Sequence, residues 1–258
     1  MNPFRSIPGA YTDAVVRRYK GRNAFELQPH LYALADQAYR NMISYTENQC
    51  IIITGESGSG KTEASKIVMQ FISACTGKGV KVQSVKEKLL ASNPVLEAFG
   101  NAKTVNNDNS SRFGKYMKIE FSGRGDPVGG SVNNYLLEKI RVVGPAVGER
   151  SFHIFYQICA GLDAEQRRRY NIGRAEDYAY LNGTQCFGVE GMDDSKEFNE
   201  TFSALQALGV TPHEIDGVLS VLSAILWLGN LTFQENHQEQ SSVVDRQVLD
   251  LIASLLQV

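Results

Sequence analysis

Apolar residues change their spacing several times along this chain, and each change marks an element. Leu31, Leu34, Ala35, Ala38 and Met42 recur at helical spacing behind Pro29, which suits a first helical position, so a helix is predicted there. The run Cys50-Ile51-Ile52-Ile53-Thr54 reads as a short buried strand, and Ala64, Ile67, Val68, Phe71, Ile72 and Cys75 as the stripe of a second helix. Thr76 to Gln83, with two glycines, reads as a connector. Val85, Leu89 and Leu90, then Val95, Leu96 and Phe99 beyond a kink at Pro94, predict a third helix ending at Gly100. After a polar loop, Met117, Ile119 and Phe121 alternate with Lys118 and Glu120. This predicts a half-buried strand, joined by a Gly123 to Pro127 turn to a partner running through Tyr135 and Leu137.

Beyond Arg141-Val142-Val143 the pattern is helical. Phe152, Phe155, Tyr156 and Cys159 form one stripe, and Phe198, Phe202, Leu205 and Leu208 form another that stops at Gly209. Thr211-Pro212-His213-Glu214 reads as a capping box with proline at the first position, ahead of Ile215, Val218, Leu219, Leu222 and Leu226. Arg167-Arg168-Arg169 reads as a solvated face, and His153 among aromatics as a core histidine. Val248, Leu249, Ile252, Leu255 and Leu256 run almost to the terminus with no glycine or cap. The expectation is that the chain stops inside a larger fold.

Between the apolar strand and the second helix stands Gly55-Glu56-Ser57-Gly58-Ser59-Gly60-Lys61-Thr62, a match to G-x-x-x-x-G-K-[ST]. In such a loop the backbone N–H groups surround phosphates, the lysine reaches the terminal ones and the hydroxyl holds Mg²⁺. A chance match in a chain of this length has odds of roughly one in a hundred, and the strand before it and helix after it lower them further. The helix would aim the positive end of its dipole at the anion.

Composition narrows the classes. The 258 residues allow one large α/β domain or a domain with an appendage, and 26 Lys plus Arg against 28 Asp plus Glu give no electrostatic argument for nucleic acid or for direct contact with an anionic membrane. Cys50, Cys75, Cys159 and Cys186 form no C-x-x-C pair and are expected to be mostly buried free thiols in a reducing compartment. No apolar run approaches a membrane span and no signal peptide opens the chain, so a cytoplasmic location is expected.

Phosphoryl transfer needs a phosphate cradle, Mg²⁺, a positioned water and a second switch sensing the γ-phosphate. Lys61 and Thr62 meet the first two, and the loop Asn107 to Arg112 offers hydroxyls, amides and a guanidinium. No apolar strand ending in aspartate supplies a second carboxylate: Asp126 belongs to a turn and Asp245 follows only Val243 and Val244. The catalytic set reads as incomplete.

Gly55 to Glu63 together with Asn107-Asp108-Asn109-Ser110-Ser111-Arg112-Phe113-Gly114-Lys115 resembles the myosin motor; a kinesin would follow its S-S-R with Ser-His. Asn2-Pro3-Phe4 is similar to that family's purine-binding loop, Leu137-Glu138-Lys139 to its transducer, Gly148-Glu149-Arg150 to the next helix and Leu226-Trp227-Leu228-Gly229-Asn230 to its upper actin-side subdomain. The short Thr76 to Val82 connector and Gly125 to Gly130 resemble class I myosins most. The resemblance implies an α/β P-loop NTPase of the myosin/kinesin type: a partial central mixed sheet flanked by helices, with a mostly helical upper actin-side subdomain. Residues 1–145 would be the nucleotide-binding core with P-loop, first switch and transducer hairpin, and 146–258 the helical part, in a chain beginning and ending inside a motor.

By the same resemblance the cofactors are ATP and Mg²⁺. Asn2, Pro3 and Tyr11 would border adenine, Gly55 to Gly60 would wrap the phosphates, and Lys61 would contact the β- and γ-phosphates. Thr62 and Ser111 would ligate Mg²⁺, Ser110 would orient the attacking water and Asn107 would contact phosphate. Arg112 would pair with a glutamate of a second switch outside the chain. Two departures stand out: one extra residue near Gly9-Ala10, and Ile140 where the family carries a small hydroxyl residue. The expected function is the ATP-binding part of an actin-activated ATPase of the actin cytoskeleton, inactive by itself. Its partners would be actin filaments and, on an absent lever arm, light chains or calmodulin. The alternative is a nucleotide- or actin-binding module without productive cycling; a small-molecule kinase leaves the Asn107 to Gly114 loop and the helical half unexplained.

Overall fold

The computed structural model describes residues 5, 7–77, 79–235 and 240–258. The chain divides into two compact units, residues 1–93 with 115–135 and residues 94–114 with 136–258.

In the first unit, α1 (Asp13–Tyr19), α2 (Leu31–Tyr45) and α3 (Lys61–Cys75) pack together, since each brings one apolar stripe. Val16, Tyr19, Tyr32, Ala35, Val68, Phe71 and Cys75 are buried as one cluster, with Tyr32 stacked on Phe71 at 4.7 Å. α2 begins at Leu31 rather than Pro29. His30 caps it, with Nδ1 accepting the Tyr32 N–H at 3.0 Å, which leaves Pro29 outside the helix. The first strand departs most from expectation. Residues 46–54 carry no regular secondary structure and belong to no strand ladder among the described residues, and Ile52 is 84% exposed. A buried parallel strand needs ladder partners and covered faces, whereas a cleft of about 450 Å³, lined by Cys50, Ile51, Met117 and Ile119, opens beside this segment.

α4 (Val80–Gly100) keeps Pro94 inside one continuous helix, so the connector from α3 is shorter than expected. Asp126, in the turn between β3 (Gly114–Phe121) and β4 (Pro127–Tyr135), accepts the Gly77 N–H at 2.8 Å and ties that connector down. Leu137 lies beyond the end of β4. Among the described residues the strands form two-stranded sheets, not the expected mixed central sheet: β1 (Asn101–Thr104) with β2 (Asn107–Ser111), β3 with β4, and β5 (Phe233–Glu235) with β6 (Ser241–Val243).

The second unit is built around α5 (His153–Gly161). Its residues from His153 to Cys159 are all buried, because α8 (Asp194–Leu208) and α9 (Pro212–Leu228) both pack on it. α6 (Ala164–Tyr170) and α7 (Ala179–Asn182) complete the surround. The Thr211–Glu214 capping box forms as predicted, and Gly209 ends α8 in a left-handed conformation. Arg167 departs from the solvated face. It turns inward and donates to the carbonyls of Leu162, Gly173 and Cys159, while Arg168 stays exposed and Arg169 pairs with Asp216. Cys50 is exposed and Cys186 half-buried, against the expectation of mostly buried thiols; Cys75 and Cys159 are buried. The last helix, α10 (Arg246–Leu256), is capped at both ends: Asp245 accepts the N–H groups of Gln247 and Val248, and left-handed Gln257 closes on the carbonyls of Ala253 and Ser254. Ile252 is buried as α10 packs on α9 and Val248 and Leu255 are half-buried, while Leu249 and Leu256 of the expected bare stripe stay exposed.

Candidate functional site

The loop ahead of α3 closes around its own lysine. Lys61 Nζ donates to the carbonyl oxygens of Gly55 at 2.6 Å and Glu56 at 2.8 Å, so the amine sits inside the arc of the loop. Gly55 has φ +154°, and a Cβ there would lie 2.5 Å from Ser59 Oγ. Gly60 caps α3 with φ +87°, a conformation that leaves no side chain to accept the first N–H groups of the helix. Ser59 Oγ is buried without a hydrogen-bond partner. An orphaned hydroxyl, a helix start with no side-chain cap and an ammonium held on the loop carbonyls suit an anion with several acceptor oxygens. The residues present therefore fit a polyphosphate. Thr62 stands in the first turn of α3, half-buried, with its carbonyl accepting from Ser65 Oγ.

Residues 107–111, expected as loop, form strand β2 against β1. Asn101 pairs with Ser111, Ala102 with Ser110 and Thr104 with Asn107. Between the last two pairs, Lys103 faces both Asp108 and Asn109, which is a β-bulge. Ser110 is buried at 1% exposure and Ser111 is exposed, as alternation along a strand requires. Arg112 donates to Ser110 Oγ at 3.1 Å and to Glu138 Oε2 at 2.6 Å. Its partner within this chain is thus Glu138, which sequence reasoning quoted only as part of a resemblance. Glu138 also receives buried Arg141, which reaches Glu149, whose Oε1 accepts the Val105 N–H at the hairpin turn. Loss of solvent alone raises the Glu138 carboxyl, but hydrogen bonds from Arg141 and Arg112 outweigh it and hold the group below the usual range.

Beneath the hairpin lies His153, 3% exposed, with Nε2 3.2 Å from Asn109 Oδ1. Burial, reinforced by the neighbouring Arg150 charge, pushes its pKa down to about 3. A pH dependence of stability follows. An unfolded histidine takes up a proton near 6.5 while the folded ring stays neutral, so the unfolded state gains protons as pH falls. The contribution is complete above about 6.5 and is lost toward pH 3, at about 1.4 kcal/mol per pH unit. The facing charges are Arg150, held by Asp194, and Glu97 through Asn109. Chemical denaturation between pH 7 and 4 is expected to show this slope, and His153→Gln should reduce it by one proton's worth; an unchanged slope would contradict the assignment.

The candidate residues thus fall into two groups. Gly55 to Thr62 lie in the first unit; Asn107, Ser110, Ser111 and Arg112 lie in the second. Tyr11 packs with His30 and Tyr32 at centroid distances of 5.3 and 5.8 Å. Asn2 and Pro3 lie outside the described residues. Sequence reasoning missed Glu138 as the Arg112 partner and Asn101, Asn109 and His153 as a connected set; the local signal was a single histidine, His153, at an otherwise apolar start of α5.

The whole chain, residues 1–258, matches the family model described as myosin head (motor domain). Three curated relatives are each named Myosin-1: one from Neurospora crassa, 49% identical, one from Pyricularia oryzae, 48%, and one from Aspergillus clavatus, 49%. Each alignment covers 100% of this chain and 21% of the relative, so the chain spans about a fifth of the length of the curated relatives it matches. With a phosphate-type loop in one unit, a serine-bearing hairpin in the other and this match over its full length, the chain belongs to the myosin head (motor domain) family.

Proposed function

We propose that this chain carries the ATP-binding part of an actin-based cytoskeletal motor of the class I type, with a P-loop NTPase core in residues 1–145 and the helical part of an upper actin-side subdomain in 146–258. The single observation that carries the reading is the Lys61 ammonium held inside a glycine loop at the side-chain-free start of α3. Mg²⁺, when bound, would supply neutralisation of the phosphate charge. The chain's own residues do the rest. The loop N–H groups and Lys61 would bind the phosphates; the Thr62 and Ser111 hydroxyls would hold the metal; Asn107 would touch phosphate. Ser110, kept in place by Arg112, would orient the water, and Asn2, Pro3 and Tyr11 would border the base. Actin filaments, light chains or calmodulin on a lever arm, and a cytoplasmic site of action are proposed for a longer protein of which this chain would be a part. The chain alone is proposed not to turn over ATP, since no described residue supplies a second γ-phosphate switch.

Titration with a fluorescent ATP analogue, with and without Mg²⁺, tests the reading. Thr62→Ala is expected to leave Mg²⁺-free affinity within about twofold while reducing the Mg²⁺-dependent gain, because one hydroxyl ligand is lost and the loop is not. Equal losses in both conditions would reject Thr62 as a metal ligand. Nucleotide binding without phosphate release would separate a binding module from a motor only in the longer protein, where actin stimulation is the discriminating measurement.

A further inference from the structure

We propose that His153 is a positioning residue for the serine-bearing strand: its buried Nε2–H grips the Asn109 side chain and holds β2 in the bulged register that decides which way Ser110 and Ser111 face. The inference rests on the reading of Asn107, Ser110 and Ser111 as nucleotide-facing residues.

The register needs something to hold it. Starting from the Thr104–Asn107 pair, an unbulged hairpin would set Ala102 opposite Asn109 and Asn101 opposite Ser110, one residue out of step with the pairing observed. Because side chains alternate along a strand, that slip would turn Ser110 outward and Ser111 inward. The bulge prevents it, and Asn109 is one of the two residues that it sets opposite Lys103. Three groups of the same unit converge on its amide. Asn101 Nδ2, from a residue 1% exposed, donates to Asn109 Oδ1 at 2.9 Å; His153 Nε2 lies 3.2 Å from the same oxygen; Asn109 Nδ2 donates to Glu97 Oε2 at 3.2 Å. A carboxylate at one end and an amide donor at the other fix which end of Asn109 is oxygen, so the ring nitrogen facing it carries the proton. His153 Nδ1 is buried without a partner, which selects the same tautomer. A slip of β2 would strand a second buried nitrogen on this ring, and a buried donor left unsatisfied is costly. The α5 start is itself fastened to β1 through the Ala102–Phe152 bridge, so the ring cannot follow the strand.

The test uses the full chain. In the unsubstituted protein, long-range ¹⁵N–¹H spectra of the His153 ring are expected to show the proton on Nε2; a proton on Nδ1 overturns the proposal without any substitution being made. In His153→Leu, amide exchange at 108–111 is expected to rise at least ~10-fold while α8 stays within about twofold. The Mg²⁺-dependent gain in fluorescent ATP analogue affinity should fall ~10-fold with Mg²⁺-free affinity nearly unchanged, because the substitution disturbs the hairpin residues and leaves the glycine loop alone. His153→Gln, which keeps a side-chain N–H, should restore both within about threefold. Unchanged exchange at 108–111, or an equal rise in α8, overturns the proposal. An unsubstituted chain that binds the analogue with no Mg²⁺ gain counts against the nucleotide reading of the hairpin instead, and exchange with the ring tautomer then decides the clamp alone.

Discussion

Lys61→Ala is expected to lower the affinity for ATP at least ~100-fold, the largest single effect on binding from any substitution in this chain. The Lys61 amine makes two short bonds to the Gly55 and Glu56 carbonyls, so its removal acts twice. The loop loses the group that draws its carbonyls inward, and the phosphates lose an ammonium that no guanidinium or amide in the loop replaces. Charge-assisted hydrogen bonds contribute roughly 1.5–3 kcal/mol each, and two of them account for the expected factor. Fluorescent ATP titration checks it, with circular dichroism confirming that α3 still folds. Lys61→Met keeps the stem but not the charge and should bind as poorly as alanine, because both effects reside in the ammonium. Affinity within about threefold of the unsubstituted chain in either variant would remove the nucleotide reading.

The helical half was legible in the sequence because its elements are bounded by local chemistry. Thr211 with Glu214 announces the start of α9 and Gly209 the end of α8, and both act within one turn of chain. The glycine loop was legible for the same reason, its conformations being demanded residue by residue. What failed was long-range. Cys50 to Thr54 has the composition of a central strand, but a strand is defined by its neighbours, and none pairs with it among the described residues. The polar stretch from Asn107 to Ser111 looked like loop because Asn and Asp are poor strand formers. It pairs nonetheless, held by side-chain bonds to Asn101, His153 and Glu97 that no spacing rule encodes. Arg112 shows the same limit: the resemblance implied a glutamate of a second switch, while the bond to Glu138, 26 positions away, is seen only in the fold.

Asp194→Ala is expected to destabilise the second unit by about 3–5 kcal/mol, a large part of the stability of an ordinary domain. Arg150 is fully buried, and Asp194 holds it with both oxygens, at 2.7 Å to Nη2 and 3.1 Å to Nη1. The guanidinium carbon stands 3.7 Å from the Tyr156 ring centroid, and Nε has no partner, so once the carboxylate is gone only an aromatic face remains to offset a buried charge. Asp194 also opens α8, where a negative charge suits the helix dipole, and that smaller contribution disappears with it. Trp227, the single tryptophan, reports on this unit from α9, edge-on to Tyr178 at 5.6 Å, so denaturation followed by its fluorescence measures the effect directly. Asp194→Asn should cost less than alanine, because one acceptor survives. The decisive comparison is the double substitution Arg150→Met with Asp194→Leu: if the penalty comes from an uncompensated charge, removing both partners should recover most of what Asp194→Ala alone loses. A double variant no more stable than the single one would show that the pair supports packing around α5 rather than neutralising Arg150, and the electrostatic account of this core would be wrong.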